Sequence, residues 1–415
     1  MLRGLLRAYA LLFFAAGLLF VFGERLTLAW IGAAGALAGA PALAPGGASL
    51  WLGLTGSLMA VLTFLALRLS RAPGRAEAWD ALLLSKTVSS GLFVLFAART
   101  HNPLFLGAAA VDGGILAHLL VLRARYEGAR DPLAPRPGPP AYEAWFARLG
   151  DPATGRALWV RRVRRDGPDG PESSVWAVFM EPGRGPVAVR RWAEAPGSWT
   201  LAPDRLQGAG PGVSWDLSWS ARGVPAFAVV PAWLRALGLA RGYDSAAPAA
   251  RFEGRASLDG AEWTFSPGLG GLGHVWGEGL GRGWWWARAS FEDARGGPAV
   301  VEVLSAPLRL GLRATSVHLW RGGRAAASDG PVRLLLNSSR RDDGAWTFSA
   351  RARGLRLEGT CRPGPAVELE YAAPGGRGLV CRHAKDSEMT LRLGGDGGDE
   401  ELRARTAAVE FVEPA

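Results

Sequence analysis

Ala8-Tyr9-Ala10-Leu11-Leu12-Phe13-Phe14-Ala15-Ala16-Gly17-Leu18-Leu19-Phe20-Val21-Phe22-Gly23 carries no charge, whereas Val175-Trp176-Ala177-Val178-Phe179-Met180 is a short run of β-formers. The first is long enough to span a bilayer once Leu5 and Leu6 are added and Arg7 snorkels to the headgroups. The second reads as a strand, with Trp176 and Val178 opposite Ala177 and Phe179. The chain divides along this contrast. Residues 1–125 are expected to form a four-helix transmembrane bundle, and the chain beyond 142 an all-β domain.

Leu50–Leu67, Ala81–Ala98 and Leu104–Leu122 are the other three apolar runs. Their number argues against a cleaved signal peptide. Trp30–Leu43 is apolar too, but Pro41 and Pro45 interrupt it, so a re-entrant or interfacial piece is expected. Arg3 and Arg7, then Arg68, Arg71 and Arg75, then Arg123, Arg125 and Arg130 mark alternate ends of the spans. The positive-inside rule then places both termini and the β domain in the cytoplasm, against a bacterial inner membrane. Ten of the Lys/Arg and four of the Asp/Glu lie in residues 1–125, which leaves 37 against 33 beyond. The excess charge therefore sits at membrane edges, so the expected partners are membrane lipids and not nucleic acid. Only Lys86 and Lys385 are lysines among 47 basic residues, a bias that fits a GC-rich genome.

Asp112 and His118 fall inside the fourth span. A carboxylate in lipid is costly and is a functional candidate by default. Lys86, Thr87, Ser89 and Ser90 in the third span are the candidate partners, and a position of Asp112 near the membrane face is the alternative. His118 is expected to pack or hydrogen-bond within the bundle. The pattern of residues 1–125, with Val111-Asp112-Gly113-Gly114 in its last span, resembles small DoxX-like membrane proteins.

Residues 126–141 form a Pro-rich spacer with Pro132, Pro135, Pro137, Pro139 and Pro140. Tyr142–Leu149 reads as a short amphipathic helix, because Trp145, Phe146 and Leu149 share a helical face. About 16 short strands then follow, with turn signals at Asp169-Gly170, Asp259-Gly260 and Pro374-Gly375. So many strands suit two barrels, divided as 142–265 and 266–415. Helical turns are expected at Pro231–Gly238. The Arg161-Arg162-x-Arg164-Arg165 run reads as a solvated hairpin face or a membrane-surface contact.

The richest stretch is Gly273-His274-Val275-Trp276-Gly277-Glu278-Gly279, followed by Trp284-Trp285-Trp286-Ala287-Arg288. Alternation puts Trp284 and Trp286 on one strand face and Trp285 on the other. Two readings stay open: packing between barrels, or an aromatic pocket lined by Trp276, Trp284 and Trp286 for a hydrophobic small molecule. In the second, His274 and Glu278 would supply acid/base or orienting groups. No cofactor is expected, and no metal: Cys381 and His383 share a strand face, but with Cys361 and His318 they show no metal-ligand spacing. Two cysteines build no disulfide framework.

Phe252-Glu253-Gly254, His274-Val275-Trp276-Gly277 and Trp284-Trp285-Trp286-Ala287 resemble the tandem lipocalin-like proteins, which include tocopherol cyclase, carotenoid 1,2-hydratase and AttH-like proteins. Trp346-Thr347-Phe348-Ser349-Ala350, Leu357-Glu358-Gly359-Thr360-Cys361, Val380-Cys381-Arg382-His383 and Ala408-Val409-Glu410-Phe411 extend the resemblance across roughly 150–412. It implies paired lipocalin-like barrels, a cavity for an isoprenoid or other lipid, and protonation or hydration of a carbon–carbon double bond. Glu278 or Glu292 would donate the proton. Hydratase-like members carry an Asp-His pair in the turn before the Trp strand; here Gly273 precedes His274, so ligand binding without hydration, or a structural role, remains open.

Overall fold

The computed structural model describes residues 2–37, 39, 48–73, 76–128, 131–136, 141–167, 170–182, 185–231, 234–235, 240–277, 282–292, 298–308, 313–342, 344–372, 378–395 and 399–415. The chain forms a helical unit and a β unit, and the turn Asp131–Ala134 belongs to the latter.

The helical unit comprises α1 (Leu2–Phe22), α2 (Glu24–Leu37), α3 (Ala48–Arg71), α4 (Ala76–Thr100) and α5 (Pro103–Gly128). Among the described residues four helices, α1 and α3–α5, are long and apolar enough to cross a membrane; α2 is shorter. Their inward stripe joins Leu6, Phe13, Leu62, Leu69, Trp79, Leu82 and Leu119 in one core. Outward stand large apolar side chains such as Leu11, Phe14, Phe22 and Leu84, as expected of helices solvated by lipid. Gly56 lets α1 and α3 approach closely, since a Cβ there would lie 2.4 Å from Val21.

Among the described residues the β unit holds twenty strands, in two sheets of ten. The first contains β1 (Tyr142–Gly150), β2 (Ala157–Gly167), β3 (Gly170–Glu181), β4 (Gly185–Ala193), β5 (Trp199–Leu201), β6 (Arg205–Gly210), β7 (Val213–Ala221), β8 (Phe227–Ala228), β9 (Gly242–Leu258) and β10 (Ala261–Gly277). The second contains β11 (Trp284–Glu292), β12 (Pro298–Pro307), β13 (Arg313–Arg321), β14 (Arg324–Ser328), β15 (Ser338–Asp342), β16 (Ala345–Ala352), β17 (Leu355–Arg362), β18 (Val367–Ala372), β19 (Gly378–Gly394) and β20 (Glu400–Pro414). A short helix, α6 (Pro331–Leu336), joins β14 to β15.

The first sheet runs β4-β3-β2-β1-β10-β9-β7-β6-β5, with β8 on β9; the second runs β14-β13-β12-β11-β20-β19-β17-β16-β15, with β18 on β19. Each strand of the first thus has a counterpart ten places later. The sheets are curled antiparallel half-barrels: among the described residues β4 does not pair with β5, nor β14 with β15. The expected division at 265/266 falls inside β10, and the first sheet continues to Gly277.

Each half-barrel wraps its own core. Leu158, Val160, Ala177, Phe179, Trp215, Phe252 and Trp263 fill the first. Ala287, Val301, Trp346, Phe348, Leu391 and Phe411 fill the second, with Trp285 against them. The opposite faces of the central strands meet in a third cluster, where Tyr142, Trp159, Trp176 and Val178 pack on Leu369, Tyr371, Leu379, Cys381 and Val412. The expected alternations hold: Val175, Ala177 and Phe179 enter the first core while Trp176 and Val178 face the seam.

Two expectations are corrected here. Tyr142–Leu149 is strand β1 and not a helix. Both its faces are buried, so the period-2 signal is erased, and the spacing of Trp145, Phe146 and Leu149 imitated a helical stripe. Arg161 is not on a solvated hairpin face; it is 6% exposed, and its guanidinium donates to the Tyr142 hydroxyl. Arg162 and Arg165 do form rim ion pairs, with Glu194 at 2.8 Å and Glu172 at 2.6 Å. The turns expected at Pro231–Gly238 lie mostly outside the described residues.

Two arginines tie the sheets together. Arg148 of β1 donates to the carbonyls of Lys385 and Thr406 in the second sheet. Arg288 of β11, the counterpart of β1, donates to the carbonyls of Gly270 (3.1 Å) and Ala247 (3.5 Å) in the first. These carbonyls sit at or beside breaks in register, between Gly270 and Gly273 on β10 and between Ala384 and Met389 on β19. A bulge frees main-chain oxygens from the ladder, and the guanidinium satisfies them. Gly271 makes the room, since a Cβ there would lie 1.9 Å from Arg288.

Trp346 is 0% exposed and packs against Trp285, Phe348 and Phe411. Trp346→Ala is expected to cost about 3–5 kcal/mol, read from denaturant unfolding of the full chain by near-UV circular dichroism. A loss below about 1 kcal/mol would mean that the second core is not packed as described.

Candidate functional site

The core-facing row of the first half-barrel ends in polar and aromatic residues at one mouth. On β1, Leu149 and Ala147 give way to Trp145 and Glu143; on β10, Leu272 gives way to His274 and Trp276; on β2, Val160 gives way to Arg162 and Arg164. Register pairs Trp145 with His274 and Glu143 with Trp276.

His274 is 0% exposed and Glu143 2%. The imidazole stacks on Trp145 (centroids 4.9 Å, 9° apart) and tilts against Trp276 at 4.9 Å. Its Nδ1 lies 2.7 Å from the Pro132 carbonyl, and its Nε2 lies 3.0 Å from Glu143 Oε1. A carbonyl only accepts, so Nδ1 is a donor. Nε2 and Oε1 must then share a second proton, since a bare imidazole lone pair against a carboxylate would repel. Arg164 stands 3.7 Å from the other Glu143 oxygen. The mouth is covered by the turn at Asp131–Ala134: Trp145 donates to the Leu133 carbonyl at 2.9 Å, and Leu133 packs onto the first core. The spacer is therefore in part a plug.

Glu278 lies outside the described residues, as does the side chain of Glu292. Trp276 stands with His274, over Gly242, where a Cβ would meet its ring at 1.9 Å. Trp284 and Trp286 face the seam instead. Trp284 stacks on Tyr371; Trp286 meets Phe146 edge-on and donates to Glu302 at 2.8 Å. The expected pocket of three indoles is thus divided between two places. Glu143 gave no signal in the sequence and meets His274 across the β1–β10 pair; Gly273 and His274 lie within strand β10 and not in the expected turn.

The seam holds a second cluster. Glu410 accepts from Lys385 Nζ at 3.0 Å, and the ammonium lies 4.7 Å from the Trp286 ring centre. His383 Nδ1 is 2.9 Å from the same carboxylate oxygen, but off the line of a hydrogen bond. Burial, then Lys385, pushes His383 down to about 4. Burial lowers Lys385 to about 8 against the pull of Glu410. Burial would raise Glu410, but Lys385 and His383 override it and hold its carboxyl low. Burial and Glu410 push the Cys381 thiol up.

Cys381, His383 and Glu410 bring one donor atom each within 4.8 Å of one another. The set fits a dication poorly: the thiol is held neutral, the Lys385 ammonium already occupies Glu410, and Arg161 adds a further positive charge. Cys361 lies in the second core and His318 bonds the Val229 carbonyl at 3.3 Å, so neither joins this cluster. Both cysteines are free and buried.

In the helical unit, Asp112 accepts from Lys86 at 2.8 Å and also from Ser89. Thr87 bonds its own helix, at the Leu83 carbonyl. Lys86 and Asp112 lie well inside α4 and α5, away from the helix ends. His118 meets the Tyr9 hydroxyl at 2.6 Å.

No protein-family model matches the chain. It is similar to an uncharacterised protein of Mycobacterium tuberculosis, found in strains CDC 1551 / Oshkosh and ATCC 25618 / H37Rv. The two are 26% identical over 275 residues, covering 61% of this chain and 81% of the relative. Among solved structures it is similar to an AttH-like protein from Nitrosomonas europaea (13% identical, 65% of this chain and 92% of that one, TM-score 0.44). It is also similar to CghA (14%, 69% and 93%, TM-score 0.44) and to kievitone hydratase from Nectria haematococca (9%, 65% and 88%, TM-score 0.41).

Two tests follow from these clusters. An unfolded histidine titrates near 6.5 and His383 near 4, so on acidification the unfolded chain takes up a proton that the folded chain refuses. Stability should fall from pH 6.5 towards pH 4, by on the order of 2–3 kcal/mol, with Glu410 adding a loss of the same sign below its ordinary value. Thermal unfolding across pH should show a flatter profile for His383→Gln; identical slopes would remove His383 from the transition. In the helical unit, Lys86→Met should cost about 3–5 kcal/mol by stranding Asp112, while Lys86→Met with Asp112→Leu should recover most of it. A double variant that loses the sum of the Lys86→Met and Asp112→Leu losses, in detergent melts, would show that the charges act independently.

Proposed function

We propose that the chain is a membrane-tethered lipocalin-like protein that binds an isoprenoid or other lipid from the bilayer at the mouth of its first half-barrel. On this reading α1 and α3–α5 span the bacterial inner membrane with both termini and the β unit on the cytoplasmic side. The observation that carries the proposal is the His274–Glu143 pair, buried and 3.0 Å apart beneath Trp145 and Trp276 and covered by the Pro132-Leu133 turn. Barrel mouths are common ligand sites, and aromatic walls with a few fixed polar groups suit an apolar molecule. Indole faces also stabilise developing positive charge, so the same pair is placed to deliver a proton to a ligand double bond.

A second reading is a non-enzymatic scaffold with packed aromatic cores. It is favoured by the close packing of Trp215 and Trp263 in the first core and of Trp285 and Trp346 in the second; beside Ala249, Ala250, Phe291 and Val300 the sheets leave a cavity of about 50 Å³. Lipid extraction and mass spectrometry of the full chain purified from native membranes separates the two. The ligand reading expects one enriched apolar lipid class, depleted roughly tenfold by Trp276→Ala, a loss of about 1.4 kcal/mol. It expects Glu143→Gln to retain the lipid and lose any conversion. Preparations from several lipid backgrounds that carry no enriched class would leave the scaffold.

A further inference from the structure

Outside the helical unit, the large apolar side chains exposed among the described residues are Leu308, Val332, Leu335 and Leu336. The last three stand on one short helix, α6, at 67%, 58% and 68% exposure. Their exposure is enforced. Pro331 starts the helix with its φ already helical, Leu334 turns inward at 5% exposure, and Asn337 latches the far end. The Asn337 amide donates to the Thr315 and Ser328 carbonyls at 2.7 and 2.9 Å and accepts from the Ser328 hydroxyl at 2.9 Å. The helix is thus fixed by one buried leucine and a polar lock, with its remaining leucines held outward. Leu308 belongs to the same end of the second half-barrel, since Pro307 pairs with Arg313 two residues before Thr315.

We propose that α6 is a membrane contact of the β unit, inserting Val332, Leu335 and Leu336 into the headgroup–acyl boundary of the bilayer. The proposal rests on the membrane reading above and is independent of what the first half-barrel binds. Two features select lipid as the occupant. The chain between Gly128 and Tyr142 can extend at most about 50 Å, and less because the Asp131–Ala134 turn packs on the β unit, so the β unit stays tethered to any bilayer that holds α5. The helix has no acidic residue and carries Arg333, itself exposed, which suits anionic headgroups. An apolar edge beside a basic residue is how interfacial helices sit in a bilayer, about 5–10 Å deep.

Both native cysteines are buried, so a single introduced thiol can be labelled selectively. Leu336→Cys in the full chain, carrying an environment-sensitive fluorophore, is reconstituted into vesicles of phosphatidylcholine and phosphatidylglycerol. Ser214→Cys, at an exposed position of β7, is the control. The expected result is a blue-shifted Leu336→Cys reporter, quenched by spin-labelled lipid, with iodide quenching roughly threefold or more weaker than in the control. Equal iodide quenching at both positions overturns the proposal and leaves the membrane reading intact. Protection from iodide and spin-labelled lipid alike also overturns it, and assigns the face to protein, either a second copy or the helical unit. A chain that fails to float with the vesicles overturns the membrane reading and this proposal together.

Discussion

The β unit depends on a reciprocal exchange of guanidinium groups. Arg148 crosses from the first sheet to the second, and Arg288 from the second to the first, each from the equivalent strand of its half-barrel and each onto carbonyls beside a break in the ladder. A buried carbonyl without a partner costs on the order of 1–3 kcal/mol, and a buried guanidinium without acceptors more. Neither half can satisfy these groups alone. The seam therefore had to be built with the cores, which explains why glycine stands at Gly271 and Gly273: side chains there would displace Arg288 and the Phe146 ring.

The four apolar runs were legible in the sequence by their length, and the strands around Trp176 and Trp285 by their runs of Trp, Val and Phe between turn residues, although core and seam bury both faces of those strands. Strand β1 hid its period because seam and core both demand apolar or paired side chains. The twofold architecture was visible mainly as a strand count, since its halves share topology and little sequence beyond Asp-Gly turns ahead of Trp263 and Trp346. Ten strands per half, and not about eight, emerge because short edge strands such as β5 and β8 are too brief to alternate.

The candidate site was half legible. His274 and Trp276 announced themselves by their neighbours, but Glu143 lies 131 residues earlier in the chain and becomes their partner only through the β1–β10 register. The seam cluster had one signal that could have been used. In a chain that writes nearly every cation as arginine, Lys86 and Lys385 are the two exceptions, and both are buried at 4% and 1% against a carboxylate. An ammonium is compact and gives its proton up more readily than a guanidinium when desolvated. Lysine against the compositional tide thus marks a place where a compact ammonium meets a buried carboxylate.

The duplicated topology also bears on how such a chain can change over time. Repeats that stack like beads can be added, lost or exchanged, because each brings its own finished surface. Here each half ends in an unfinished one, with an arginine whose acceptors belong to its twin. The duplication is consequently closed: a third copy would find no vacant acceptors, and a lone half would carry a stranded charge. The two halves are free to diverge in their mouths and edges, but only as a pair.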